Sequence, residues 1–231
     1  MPTDAFDMAI VHRAFRKELQ NAPGLVRDVE AGDTARSAVV GAHLEFILAA
    51  LHHHHATEDD LIWPKLHARA PASAGEITRM EQAHCGIADA DSQVKSFLAS
   101  WVTSADARGA QQLVEAAEDL SARVEVHLAD EERNIVPLIN QHITRGEWQK
   151  CVARAAEFIS RKNLKLGLVL GGLVLDASSP DEARRILADV PLPQRILVRL
   201  LARRTLARYR ANLYGSANPV KRFRRTMARR G

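Results

Sequence analysis

Two short segments of this chain carry the same arrangement of nitrogen and oxygen donors. His54 is followed four residues later by Glu58 and His127 by Glu131, and each histidine stands ten residues before a proline. On a helix, residues four apart share a face, so each pair presents an imidazole and a carboxylate together. Residues 54–64 align without a gap on residues 127–137. A further histidine stands 42 residues before His54, at His12, and another 43 residues before His127, at His84. Four imidazoles and two carboxylates repeated in this way make a site for two metal ions bridged by the two glutamates. Nitrogen and oxygen donors without thiolate favour iron, with manganese second, over a structural zinc. Six side chains also leave coordination positions for solvent or a small molecule.

Helices must place these groups. One runs from Thr3 or Asp4 to Pro23-Gly24, and a second from Gly32-Asp33 toward Ala70-Pro71. Ser73 with Glu76 forms a capping box for a third, which fades near Thr103-Ser104. A fourth runs from Asp106 to Ile139, and Thr144 with Glu147 caps a fifth. Apolar residues follow the helical period: Met8, Phe15 and Leu19 flank His12, and Ile77, Met80 and Ile87 flank His84. Val40, Leu44, Ile47, Leu51, Leu61 and Ile62 trace the second stripe; Leu113, Leu120, Val124, Ile135 and Leu138 trace the fourth. Each stripe thus turns a histidine inward, and two add a glutamate. A buried carboxylate costs several kcal/mol (about 3–5) when its charge is unpaired, and no lysine or arginine lies on these stripes.

Long amphipathic helices with short connections imply antiparallel neighbours. The fold class is therefore all-α: an up-down-up-down four-helix bundle over residues 1–144, a helical extension over 145–215, and a basic, disordered tail over 216–231. The 231-residue chain carries +4, of which the twelve lysines and arginines after Gln194 supply +12, so residues 1–194 carry −8. Two cysteines, 66 positions apart, exclude a disulfide scaffold and fit a reducing cytoplasm. No apolar run approaches the ~20 residues of a membrane span, and the expected location is cytoplasmic.

The fragments Val11-His12-Arg13, His52 to Pro64, His127 to Arg133 and Val136-Pro137 resemble the hemerythrin/HHE cation-binding family over residues 5–141. The resemblance implies an oxo- or hydroxo-bridged pair of irons in a four-helix bundle. Its ligands would be His12, His54, Glu58, His84, His127 and Glu131, with Glu58 and Glu131 bridging and no catalytic residue beyond them. Oxygen carriers of the family place two histidines one turn apart on the third helix, whereas this chain has Met80 and Ala88 beside His84. They also set the last carboxylate five residues after its histidine; here Glu131 is at four and Glu132 at five, and symmetry with Glu58 favours Glu131. These departures argue against reversible oxygen carriage. The expected function is binding and turnover of peroxide (catalase-like) or nitric oxide in oxidative or nitrosative stress. The alternatives are an oxygen or iron sensor signalling through the C-terminal helices, and iron storage or transfer.

Other residues read more plainly. In the run His52 to His55 one residue takes the inner position; His52 and His53 are solvated, and His55 is the reserve for His54. His43, His67 and His142 read as surface or edge histidines. Glu81, in Glu-x-x-His with His84, is a weaker candidate ligand or partner. Cys85 reads as a small packing residue, and Trp63-Pro64 and Val136-Pro137 end or kink their helices. Ser178 to Glu182 reads as another helix start, with Pro180 at or near its first turn. From Pro193 a last helix docks Ile196, Leu197, Leu200 and Leu201 on the bundle or on a twin subunit as a homodimer. Its arginines are solvated, with an anionic membrane surface or nucleic acid as other partners.

Overall fold

Where the sequence supplies a cap, the helices start on it. In the computed structural model, which describes residues 2–158, 164–188 and 192–215, the Asp33 carboxylate accepts from the Arg36 amide and opens α2 (Thr34–Leu61), which follows α1 (Phe6–Arg27). A short α3 (Trp63–Arg69) leads to α4 (Ala74–Ser104). Asp106 accepts from the Gly109 amide to open α5 (Ala107–Asp130). A π-helical turn over Glu131–Ile135 joins α5 to α6 (Val136–His142). Thr144 and Glu147 form a reciprocal capping box on α7 (Arg145–Glu157). After α8 (Leu164–Ala177), Ser179 and Glu182 form another on α9 (Pro180–Ile186), and α10 spans Leu192–Leu213. No strand occurs among the described residues, so the chain is all-α.

Several boundaries differ from the sequence reading. Ser73 makes no side-chain cap, because Glu76 pairs with Arg79 and accepts from Asn134 instead. Helix α1 starts at Phe6 without a side-chain cap and continues a turn past Pro23. Proline removes one backbone donor, but Ala22, Pro23, Leu25 and Val26 are all buried, and that burial outweighs the lost bond. As expected, α2 stops just before Trp63-Pro64. Thr34–Arg69 is long and apolar enough to cross a membrane by length and composition, contrary to the sequence reading. However, 56% of its most apolar window is buried inside the fold.

Helices α1 and α4 each pack against both α2 and α5, forming a helical bundle. Its apolar interior has two parts. One contains Phe15, Leu51, Ile87 and Leu128; the other contains Met8, Ile62, Met80 and Ile135. Along each helix the inward histidine or glutamate falls between members of these two clusters. The donors thus form a polar layer between two dry ones.

The C-terminal helices also rest on the bundle: α8 packs on α1 and α10, and α10 reaches α2. Here His43 departs from the surface reading. It is 1% exposed, and its Nδ1 is hydrogen-bonded to the Tyr209 hydroxyl at 2.9 Å. Its Nε2 lies 3.5 Å from buried Glu18, and Arg210 reaches Glu18 and Asp176. Docking of α10 therefore uses Ala202, Leu206, Tyr209 and Leu213, which fit against α8 and this polar cluster. Ile196, Leu200 and Leu201, expected to dock on the bundle or on a twin subunit, are exposed and so do not dock on the bundle. The side chain of Leu197 and residues 216–231, including the expected disordered tail, lie outside the described residues.

Burial, reinforced by Arg210, lowers the His43 imidazole to about 4 from an ordinary 6.5. The unfolded chain therefore takes up this proton first as pH falls, and stability is lost between pH 6.5 and 4. Burial raises the Glu18 carboxyl, which works in the opposite direction. Denaturant titrations of wild type and His43→Gln isolate the histidine. The wild type should lose up to about 3 kcal/mol more across that window; equal losses would mean that His43 is hydrated.

Candidate metal centre

The polar layer brings together all six residues expected from the sequence and adds a seventh. His12 Nε2 and His54 Nε2 are 3.2 Å apart, as are His84 Nε2 and His127 Nε2. Two nitrogens bound at right angles to one ion at ~2.1 Å stand about 3 Å apart, so each pair has the spacing of neighbours on a single ion. Glu58 spans the two pairs: Oε1 is 3.2 Å from His54 Nε2 and Oε2 is 3.6 Å from His84 Nε2. Glu131 does the same with one oxygen, Oε2, at 3.5 Å from His12 and 3.7 Å from His127.

The seventh residue is His55. Its ring stacks on that of His84 with centroids 4.2 Å apart, and it stands edge-on to His127 at 5.1 Å. Possible donor atoms of His55, His84 and His127 lie within 4.8 Å of one another, and so do those of His12, His54, Glu58 and Glu131. His54 and His55 both face inward because α2 is buried over a wide arc, including Phe46, Ile47, Leu48, Ala50 and Leu51. The signal was present in the sequence. Leu44, Leu48, Leu51, His55, Glu58 and Ile62 keep the helical period as well as the stripe through His54 does.

The electrostatics suit a cation. Glu58 is 3% exposed and Glu131 0%, and among the described residues none of their four carboxylate oxygens has a hydrogen-bond partner. Burial, then the charge of Glu131, pushes the Glu58 carboxyl well above the usual carboxylate range. Burial also raises Glu131, against the pull of His12 and His84. Burial and neighbouring imidazoles hold His54 and His55 well below 6.5, and His127 at about 3. Neutral imidazoles have a lone pair to give. Burying both carboxylates without compensation costs several kcal/mol, about 3–5 for each unpaired charge, and cations in this layer would offset it.

Two acids hold the rings in place. Glu132, directly after Glu131, accepts from His12 Nδ1 at 2.9 Å and from Arg16 at 2.7 Å. Asp59, directly after Glu58, accepts from His84 Nδ1 at 2.6 Å and from the Trp63 indole at 2.9 Å. Each bond fixes the Nδ1–H tautomer and leaves Nε2 as the donor facing the layer. Burial raises both acids, but these hydrogen bonds outweigh it and hold them below their ordinary values. The π turn, one residue wider than an α-turn, lets Glu131 point inward while Glu132 reaches His12. Such turns recur at functional sites.

The sequence model of the family described as hemerythrin HHE cation binding domain matches residues 6–139, more than half of the chain. The chain belongs to the hemerythrin HHE family. It is therefore a cation-binding domain, of a class that typically holds iron. No curated protein and no solved structure matched the chain. The seven side chains, all nitrogen or carboxylate donors, fit that class through their orphaned oxygens.

The remaining candidates lie elsewhere in this hemerythrin-family fold. Glu81 pairs with His67 at 3.0 Å, outside the cluster. His52 is exposed, and His53 bonds the Arg154 carbonyl at 2.8 Å. His142 is half-buried, apart from the cluster. Cys85 is exposed rather than packed.

Loss of an orienting acid should weaken the site without removing a donor. Glu132→Gln or Asp59→Asn should lower cation affinity about 10–100-fold in chelator competition, and Glu81→Gln should leave it unchanged. Equal affinities for all three variants would refute the orienting role.

Proposed function

We propose that this protein holds two iron ions in an up-down four-helix bundle over residues 1–144 and uses them on peroxide or nitric oxide. The observation that carries this reading is Glu58, whose two oxygens face one histidine group each. His12 and His54 would hold one ion and His55, His84 and His127 the other, with Glu58 and Glu131 placed between the two groups. An iron pair supplies two-electron redox chemistry between diferrous and diferric states. The protein's part is to keep His54, His55 and His127 neutral by burial, aim His12 and His84 through Glu132 and Asp59, and exclude water with the flanking apolar layers. The donor set is nitrogen-rich and lacks thiolate, which favours iron over zinc and leaves manganese second.

One observation supports a second reading, a sensor whose signal leaves through the C-terminal helices. Arg13, next to His12, binds the Ala177 carbonyl at 3.1 Å and Glu182 at 2.7 Å, and Lys17 on the same helix pairs with Asp176. A shift of His12 along α1 would thus be felt by α8 and α9. Metal removal would then change hydrogen exchange over residues 164–213, and an unchanged pattern would eliminate this reading.

The test of the main proposal is metal analysis and turnover on untagged protein purified in air. About two irons per chain, lost in the double variant Glu58→Ala/Glu131→Ala, is the expected result. The loaded wild type should also evolve oxygen from peroxide or consume nitric oxide faster than His54→Ala. Zinc alone, or turnover equal to that of the variant, would contradict the proposal.

A further inference from the structure

A cavity of about 340 Å³ opens between α2 and α4 and ends on His55 and His84. Leu48, Leu51 and Ile87 form part of its wall, and its polar lining is acidic: Asp59, Glu81 and Asp91 contribute carboxylates. The lining residues include no lysine or arginine. Lys95 and His67 reach Asp91 Oδ2 and Glu81 from outside that lining. Asp91 is only 8% exposed, and its other oxygen, Oδ1, is buried with no hydrogen-bond partner. A shielded carboxylate oxygen of this kind is costly to keep without a ligand. Small side chains at Ala56, Cys85 and Ala88 keep the passage open.

We propose that this cavity is the loading port for the metal centre, with Asp91 as a transit ligand for a divalent cation on its way to His55 and His84. The inference rests on the metal-centre reading above. Clefts lined by one sign of charge between low-dielectric walls concentrate the opposite ion and raise its rate of entry by 10–10³-fold. Carboxylate oxygens replace part of the ion's water shell at the entrance, and the two imidazoles at the inner end take it over. The groove between α4 and α5 also touches a histidine of the cluster, His127, but Arg79 and Arg123 line it in ion pairs with Asp130 and Asp119, so its charged lining is balanced rather than acidic. It is the less suitable route for a cation and provides the control.

The experiment follows cobalt(II) entering metal-stripped protein by its visible absorption in a stopped-flow instrument, and leaving loaded protein on addition of excess chelator. Asp91→Asn, Glu81→Gln and the obstructing Ala88→Phe should each slow entry about tenfold, with the final cobalt content unchanged. Rising salt should slow the wild type more than the two charge variants. Release should slow in parallel, because a route changes rates in both directions without changing affinity. N-ethylmaleimide on Cys85, the exposed thiol at the cavity, should slow entry in the unmutated protein and so guard against misfolded variants. Gly86→Leu, in the other groove, should load at the wild-type rate. Wild-type rates in all three cavity variants and the alkylated protein, or slowing only in Gly86→Leu, would overturn the port. A wild type that takes up no cobalt would overturn the metal-centre reading itself.

Discussion

Two carboxylates buried without a hydrogen-bond partner dictate most of what this fold does. Glu58 and Glu131 lie between two apolar clusters, where an unpaired negative charge is unfavourable by several kcal/mol. Among the described residues no lysine or arginine reaches either one, and imidazoles face both. Cations held in this layer would offset the charge and make a ligand set of the five histidines that face it. The apolar layers then serve the polar one: they exclude the water that would otherwise hydrate the acids and compete for the ions.

Everything around that layer restricts its freedom. Each inward glutamate is followed by a second acid that turns outward and grips the imidazole of the other hairpin, Glu132 on His12 and Asp59 on His84. Arg16 in turn holds Glu132, and the Trp63 indole holds Asp59. The rings are thus oriented before any ion arrives, which lowers the entropic cost of binding. The C-terminal helices add a distant anchor through Arg13, His43 and Glu18, so the helix bearing His12 is held at several points.

Much of this was legible in the sequence because the site is a repeat. The His-x-x-x-Glu pairs, the shared proline offset and the spacing to His12 and His84 pointed to one inward layer and placed six of the seven side chains. His55 was harder to choose because a run of four histidines carries no contrast, and because two adjacent residues can both turn inward only on a widely buried helix. Spacing alone offers Glu132 as a rival to Glu131, whereas the π turn points Glu131 inward and lets Glu132 reach His12. No local pattern announces a π turn. His43 looks like a surface histidine in the sequence for a different reason: its partners, Glu18 and Tyr209, come from remote helices, and no spacing rule links residue 43 to residue 209. The same distance hid which face of α10 would dock.

Anomalous diffraction at the iron edge, from crystals of protein purified without added metal, tests the central claim most directly. The account predicts two peaks within the polar layer, one beside His12 and His54 and the other beside His55, His84 and His127, with Glu58 and Glu131 touching both. A single peak, or peaks lying away from Glu58, would contradict it.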